Sequence, residues 1–163
     1  MRRTRPTTIA ALAALTVAGT LLAGCGADQP ERDEESGQIT EASDSDVFAL
    51  QVGDCLDSAA LGDVVETVPV IPCAEAHDSE VYAAKDLPAG DYPGEEEIST
   101  LADDYCYSEF EGFVRLSYEE SALAYLPMYP LQEGWEQLDD RELLCLVVDL
   151  DGGVTGTLKG AAR

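Results

Sequence analysis

The chain has 163 residues, of which 33 are acidic and 9 are basic, so its formal net charge is −24. A surface this negative repels nucleic acids and anionic lipid headgroups, so the composition argues against a nucleic-acid-binding protein. It would attract cations or a basic partner, but we favour solubility and spacing from an anionic surface as the role of the charge. The length predicts one domain with a real core, since single domains commonly have about 100–150 residues.

The first 25 residues have the order of an export signal. Three arginines precede an apolar run over residues 9–23, which is shorter than the roughly 20 apolar residues that a membrane span needs. The sequence Leu-Leu-Ala-Gly-Cys at 21–25 resembles the lipobox of bacterial lipoproteins. That resemblance implies a signal peptide over residues 1–24, cleavage before Cys25 and lipidation of its sulfur and its new amine. The alternative is an ordinary secretory signal cut near Ala23.

The segment that follows is strongly acidic. Residues 26–46 contain eight acidic residues, one basic residue and one large apolar residue, Ile39. Such a segment buries too little apolar surface to offset its ordering entropy. We therefore predict a lipid anchor and an acidic disordered tether over residues 25–46, and a folded domain over residues 47–163.

Short apolar and β-branched runs bounded by turn residues predict strands. The predicted strands are residues 48–52, 64–71, 80–84, 122–129, 142–150 and 154–158. Residues 142–150 are almost continuously apolar, which is typical of a strand covered on both faces. The Asp-Gly-Gly sequence at 151–153 predicts a hairpin turn into the last strand.

One helix is predicted over residues 95–114. Three glutamates occupy its first turn, where the helix dipole favours negative charge, and apolar residues then recur at helical spacing. Residues 131–138 predict one or two further helical turns. Strand pairs on both sides of a single long helix predict an α+β fold, in which the helix packs across an antiparallel sheet.

Four cysteines remain if Cys25 carries lipid, and an even number outside the cytoplasm predicts two disulfides. Spacing alone leaves three pairings open. A zinc site is the weaker alternative, because the chain has no C-x-x-C pair and one histidine.

The faces of the predicted elements favour one pairing. Cys106 lies on the apolar stripe of the helix, and Cys145 shares a strand face with Leu143 and Val147. If the helix covers that face, the two cysteines can meet at the Cα separation of roughly 4.4–6.8 Å that a disulfide needs. This leaves Cys55 and Cys73 for the second disulfide.

Four segments together resemble the septum-formation family of actinobacterial envelope proteins. They are GDC at 53–55, PCAEAHDSEVY at 72–82, DRELLC at 140–145 and GTLKG at 156–160. Many relatives have proline where Ala76 stands and glycine where Asp139 stands. The resemblance implies a membrane-tethered envelope protein linked to division, and it brings no catalytic residue.

The candidate functional loop contains His77, Asp78 and Glu80. A hydrolase would use His77 with a nearby carboxylate and Ser79 or Ser121 as nucleophile, but no G-x-S-x-G motif is present. We favour a histidine whose nitrogens bond the backbone of its own loop.

One further pattern has a simple explanation. The residues at 149–153 match part of a calcium loop but lack its later ligands, so a turn explains them better. We expect weak divalent-cation binding, no dedicated metal site and no cofactor.

The sequence as a whole predicts a lipoprotein on the outer face of the cytoplasmic membrane, attached through Cys25. Its expected role is non-enzymatic binding of an envelope or division protein. The alternatives are an envelope hydrolase that uses His77 and a purely structural acidic surface module.

Overall fold

The computed structural model describes residues 29–62 and 64–163. The predicted signal peptide and the lipidation site at Cys25 lie outside these residues. Six strands form one antiparallel sheet in the order β1-β3-β2-β4-β6-β5. They are β1 Ser43–Asp46, β2 Cys55–Leu56, β3 Thr67–Ile71, β4 Ser79–Asp86, β5 Ala124–Met128 and β6 Glu142–Val148.

In the described part of the chain, two α-helices accompany the sheet, α1 Glu95–Val114 and α2 Gln132–Gln137. Helix α1 has the predicted bounds, with Glu95, Glu96 and Glu97 in its first turn. Three short 3-10 turns complete the described chain, at Val47–Ala49, Ser58–Ala60 and Tyr118–Glu120. The predicted α+β class, an antiparallel sheet with one main helix packed on it, is confirmed.

The two faces of β6 are both covered, as its apolar sequence predicted. On one face, Cys145 and Val147 pack against the α1 residues Cys106 and Phe110. On the other face, Leu144 and Leu146 pack in a second cluster with Ile39, Leu50, Leu56, Val68, Val70 and Val81. Because side chains alternate along a strand, each face of β6 packs in a separate apolar cluster.

Both disulfides have the predicted pairing. Cys106 and Cys145 join α1 to β6 with a Cα separation of 5.4 Å. Cys55 and Cys73 join β2 to the segment after β3 with a Cα separation of 5.2 Å. These bonds connect the helix and the first strands to the centre of the same sheet.

The acidic segment before the domain is folded over residues 29–46, and the disordered tether that we predicted there is wrong for these residues. Ser43–Asp46 pairs with β3 as the edge strand β1. Ile39 is 6% exposed, and Arg32 forms an ion pair with Asp54 at 2.6 Å. An open strand edge offers backbone hydrogen bonds that side-chain composition does not reveal.

Two predicted strands are absent from the described chain. Residues 48–52 lie at the end of a 3-10 turn and in the bend after it. Residues 154–158 form no strand, and Val154 makes a single antiparallel bridge with His77. A hairpin on β6 has no free edge to use, because β4 and β5 already flank β6 on both sides.

In the described residues, no helix has both the length and the apolar character that crossing a bilayer requires.

Candidate functional site

The candidate loop leads from Cys73 into β4, and its histidine is buried. His77 is 3% exposed. Its backbone N–H donates to the carbonyl of Val154, and the Val154 N–H donates to the His77 carbonyl, both at 3.0 Å. The ring Nδ1 lies 2.8 Å from the carbonyl oxygen of Glu75. Since a carbonyl only accepts, Nδ1 carries the hydrogen and bonds the backbone of its own loop, an arrangement that we expected of both ring nitrogens.

The other ring nitrogen of His77 is buried. Nε2 has no hydrogen-bond partner among the described residues. Neither serine considered as a nucleophile donates to it, because Ser79 Oγ donates to the carbonyl of Leu56 at 3.1 Å and Ser121 Oγ to that of Arg163 at 2.6 Å. The hydrogen bond between a nucleophile and its base that a triad requires is therefore not formed by these residues.

Asp78 caps the 3-10 turn Ser58–Ala60. Its carboxylate accepts hydrogen bonds from the Ser58 N–H at 2.7 Å, the Ser58 hydroxyl at 2.9 Å and the Ala59 N–H at 2.9 Å. Burial raises the pKa of Asp78, but these hydrogen bonds outweigh burial and hold the pKa below its usual value. An acid used in this way is ionised and structural.

Glu80 holds the C-terminal segment against β4. Its carboxylate accepts from the Thr157 hydroxyl at 2.8 Å and from the Leu158 N–H at 2.6 Å. The residue is 3% exposed, and burial raises the pKa of Glu80 even though these donors partly offset it. Thr157 and Leu158 belong to the GTLKG segment, which sequence reasoning did not connect to Glu80.

The three candidate side chains therefore do not converge on one point. His77 contacts the carbonyl of Glu75, Asp78 contacts residues 58–59, and Glu80 contacts residues 157–158. Adjacent residues of an extended chain point to opposite faces, which separates His77 from Asp78. The loop brings three chain segments together through hydrogen bonds.

The turn after β6 is also satisfied within the chain. Asp149 forms an ion pair with Arg163 and accepts a hydrogen bond from the N–H of Asp151 at 3.0 Å. Across the described residues, no group of three or more His, Cys, Asp or Glu side chains is placed to hold a metal ion.

A cleft lies at the opposite end of the β4–β6 pair, and sequence reasoning did not find it. It has a volume of about 690 Å³ and is formed by three parts of the chain, residue 48, residues 86, 87 and 89, and residues 138–142. Phe48 and Leu138 are 55% and 65% exposed. Asp86 and Glu142 are directly opposite each other in the strand pairing.

Arg141 is held beside this cleft by its own neighbours. Its guanidinium contacts the carboxylate of Asp139 at 2.9 Å and donates at 2.7 Å to the carbonyl oxygens of Trp135 and Asp140. It also lies 3.9 Å from the centre of the Trp135 ring. Asp139 has φ of +57°, a left-handed conformation that glycine adopts without strain and that other residues adopt rarely.

The carboxylates of the cleft are crowded. Burial, followed by the nearby charges of Asp86 and Asp140, raises the pKa of Glu142. Burial also raises the pKa of Asp140, and the charge of Asp86 adds to it. Each ionised carboxylate therefore makes ionisation of the next less favourable.

Comparison with known proteins adds one match. A sequence model of a family described as "Septum formation" matches residues 19–123 and 52–162, two overlapping ranges that cover most of the chain. No curated protein and no solved structure is significantly similar to the chain. The Gly-Asp-Cys, Pro-Cys, Asp-Arg-Glu and Gly-Thr-Leu-Lys-Gly segments all lie within the matched residues, and the chain belongs to the septum-formation family.

Proposed function

We propose that this protein is a lipid-anchored envelope protein whose folded domain binds a partner protein without catalysing a reaction. The family membership suggests a role linked to septum formation. The lipid anchor, the position outside the cytoplasm and the binding activity are the steps that the proposal adds.

The observation that carries the proposal is that the polar side chains of the His77 loop form hydrogen bonds within the domain. Each of them is engaged by the backbone or side chains of the same domain. A catalytic histidine needs a ring nitrogen within hydrogen-bond reach of the reacting group. A buried ring whose Nδ1 is bonded to the Glu75 carbonyl agrees better with a structural role.

Two features support a site of action outside the cytoplasm. Two disulfides are typical of proteins that fold in oxidising compartments. The lipobox at 21–25 is the sequence that would attach the protein to the membrane through Cys25.

The anchor is tested by membrane fractionation of cells that produce Cys25→Ser. We expect this variant to accumulate as uncleaved precursor or as soluble protein, because serine has no sulfur to carry the lipid. Gly24→Ala is the matched control, since it keeps a small residue before the cysteine and should remain in the membrane fraction. Membrane association of Cys25→Ser at the wild-type level, with cleavage unchanged, would refute the lipid anchor.

The binding role is tested by crosslinking in living cells with a photoreactive residue on the domain surface. We expect one or a few reproducible protein adducts, enriched at the division site. His77→Ala should give the same adducts as the wild-type protein when the two are folded and present at equal levels. If a folded His77→Ala variant keeps its adducts but no longer supports septum formation, that result would favour the hydrolase over the binding module.

A further inference from the structure

The cleft between Phe48 and Leu138 has apolar walls that face solvent. The two side chains come from a 3-10 turn and from the end of α2 and are 55% and 65% exposed. Leu87 also lines the cleft and is held there by the hydrogen bond from its N–H to the carbonyl of Arg141 at 2.8 Å. Large apolar side chains exposed together in a concave surface are typical of binding sites.

The floor of the cleft carries the carboxylates of Asp86, Asp140 and Glu142, of which Asp140 is close enough to Arg141 for that positive charge to favour its ionised form. Asp86 and Glu142 face each other across the β4–β6 pair, an arrangement in which like charges destabilise a sheet. Within the described chain, no arginine or lysine forms an ion pair with Asp86, Asp140 or Glu142. The adjacent Lys85 lies 5.2 Å from the centre of the Tyr105 ring, on the α1 side of the sheet.

We infer that this cleft binds a segment of a partner protein in which a lysine or arginine is next to a large apolar side chain. The apolar side chain packs between Phe48 and Leu138, and the cation lies between Asp86 and Glu142. This inference rests on the proposed binding function and gives it a site and a class of partner.

The charges of the molecule favour this occupant over the other classes. The cleft acids belong to a chain of net charge −24, which repels anionic lipids and anionic polymers. Among the described residues that line the cleft, Arg141 has the only guanidinium; it is bonded to Asp139 and to two carbonyls, and its remaining nitrogen without a partner, Nε, is buried, so it has little capacity to hold an anion. A basic segment meets opposite charge and apolar surface at the same place.

The inference is tested with the full-length protein in phosphatidylcholine nanodiscs, with empty nanodiscs as background. The probe is a fluorescent hexapeptide of alternating lysine and leucine, and binding is measured by fluorescence anisotropy at physiological salt. The reference peptides alternate lysine with serine and glutamate with leucine. We expect the lysine–leucine peptide to bind most tightly, because it alone supplies both chemistries.

Two double variants locate the binding. Asp86→Asn with Glu142→Gln removes the cleft charges, and Phe48→Ser with Leu138→Ser removes the apolar walls. We expect each to weaken the lysine–leucine peptide about tenfold, as truncation of central interface residues commonly does. The matched controls remove equal charge at Asp104→Asn with Glu111→Gln, or two exposed leucines at Leu101→Ser with Leu150→Ser. We expect these controls to change affinity less than about twofold.

Three outcomes would overturn the inference. One is equal weakening by the cleft variants and their controls, which would assign binding to the general acidic surface. Another is unchanged affinity in both cleft variants at wild-type melting temperature. The last is equal affinity for the lysine–serine and lysine–leucine peptides, which would show that the apolar walls do not contribute to binding.

Crosslinking in cells separates failure of the cleft from failure of the proposed function. A photoreactive residue at position 138 samples the cleft, and one at position 107 samples exposed α1. Adducts at 138 that disappear with Asp86→Asn and Glu142→Gln support the cleft. Adducts at 107 alone would reject the cleft and keep the binding role, and the absence of adducts at every surface position would reject both.

Discussion

The β4–β6 strand pair has carboxylates at both of its ends, but their surroundings differ. At the Ser79 end, Glu80 and Asp149 are 3% and 6% exposed, and each has donors or a cation from the same chain. At the other end, Asp86 and Glu142 face each other beside an open cleft without a basic partner in the described residues. The first end joins chain segments, while the second leaves its charge and apolar surface exposed to solvent.

This difference indicates how an acidic domain divides its charges between folding and binding. Backbone N–H groups and hydroxyls reduce the cost of burying a carboxylate by replacing part of its lost hydration, as the Leu158 N–H and the Thr157 hydroxyl do for Glu80. A carboxylate beside another carboxylate lowers stability slightly, and a cationic ligand would remove that cost. The predictions below test whether the two ends really differ in this way.

The largest expected effect comes from loss of the Cys106–Cys145 disulfide, which joins α1 to β6, the strand that runs between the two ends. Cys106→Ser should reduce the free energy of unfolding by about 4 kcal/mol, because the bond closes a loop of 39 residues in the unfolded chain. Cys145→Ser should have the same effect, and the double variant should be no worse than either single one. Urea unfolding under non-reducing conditions measures these values, and additive losses would contradict a shared bond.

A smaller loss is expected at the Ser79 end. Glu80→Ala should reduce the free energy of unfolding by about 1–2 kcal/mol, because the buried Leu158 N–H and the Thr157 hydroxyl lose their acceptor. Glu80→Gln keeps one acceptor oxygen and should lose less. Equal losses in both variants would mean that these hydrogen bonds are not what holds the C-terminal segment.

The wild-type protein and Glu80→Gln should also differ in how their free energy of unfolding depends on pH, and the direction follows from the pKa of Glu80. Burial raises the pKa of Glu80 above its ordinary value near 4.5, so the native state binds more protons than the unfolded state between the two values. The contribution of Glu80 is therefore fully present below the ordinary pKa and is lost as pH rises through the raised one. Urea unfolding across about pH 4–8 should show wild-type stability falling relative to Glu80→Gln. A rise across this range would contradict the raised pKa.

The smallest effect, with the opposite sign, is expected at the cleft. Asp86→Asn with Glu142→Gln should leave the free energy of unfolding unchanged or raise it by about 0.5 kcal/mol, because it removes a directly opposed pair of like charges. Asp104→Asn with Glu111→Gln controls for the change in net charge. A loss above about 1 kcal/mol at the cleft alone would mean that its acids are structural, and the contrast between the two ends would fail.

The helix and the central strand were predictable because the spacing of apolar residues along each of them indicates which face is buried. Helical spacing placed Cys106 and Phe110 on one face of α1, and strand alternation placed Cys145 on the matching face of β6. Two periodicities that meet in one core are sufficient to predict the disulfide between them. The residues of the His77 loop were singled out because they belong to a recognisable segment, but the hydrogen bonds that Asp78 and Glu80 accept were not predicted.

The errors concern contacts that no local pattern contains. The acidic segment was predicted to be disordered because it has little apolar surface, yet an open edge of β3 pairs with Ser43–Asp46 and Asp54 binds Arg32. The return strand after β6 was predicted from a turn sequence, but β4 and β5 occupy both edges of β6. In each case the outcome depended on which strand edge was free, a property of the assembled sheet.

By itself the sequence determined the α+β class, the bounds of α1, the buried character of β6 and the pairing of four cysteines. These follow from side-chain periodicity, which acts over a few residues. Only the tertiary structure decided that Glu80 receives the Leu158 N–H and that Phe48, Asp86 and Leu138 line one cleft. These contacts join residues about 40–90 positions apart, and chain folding brings them together through packing that local sequence does not encode.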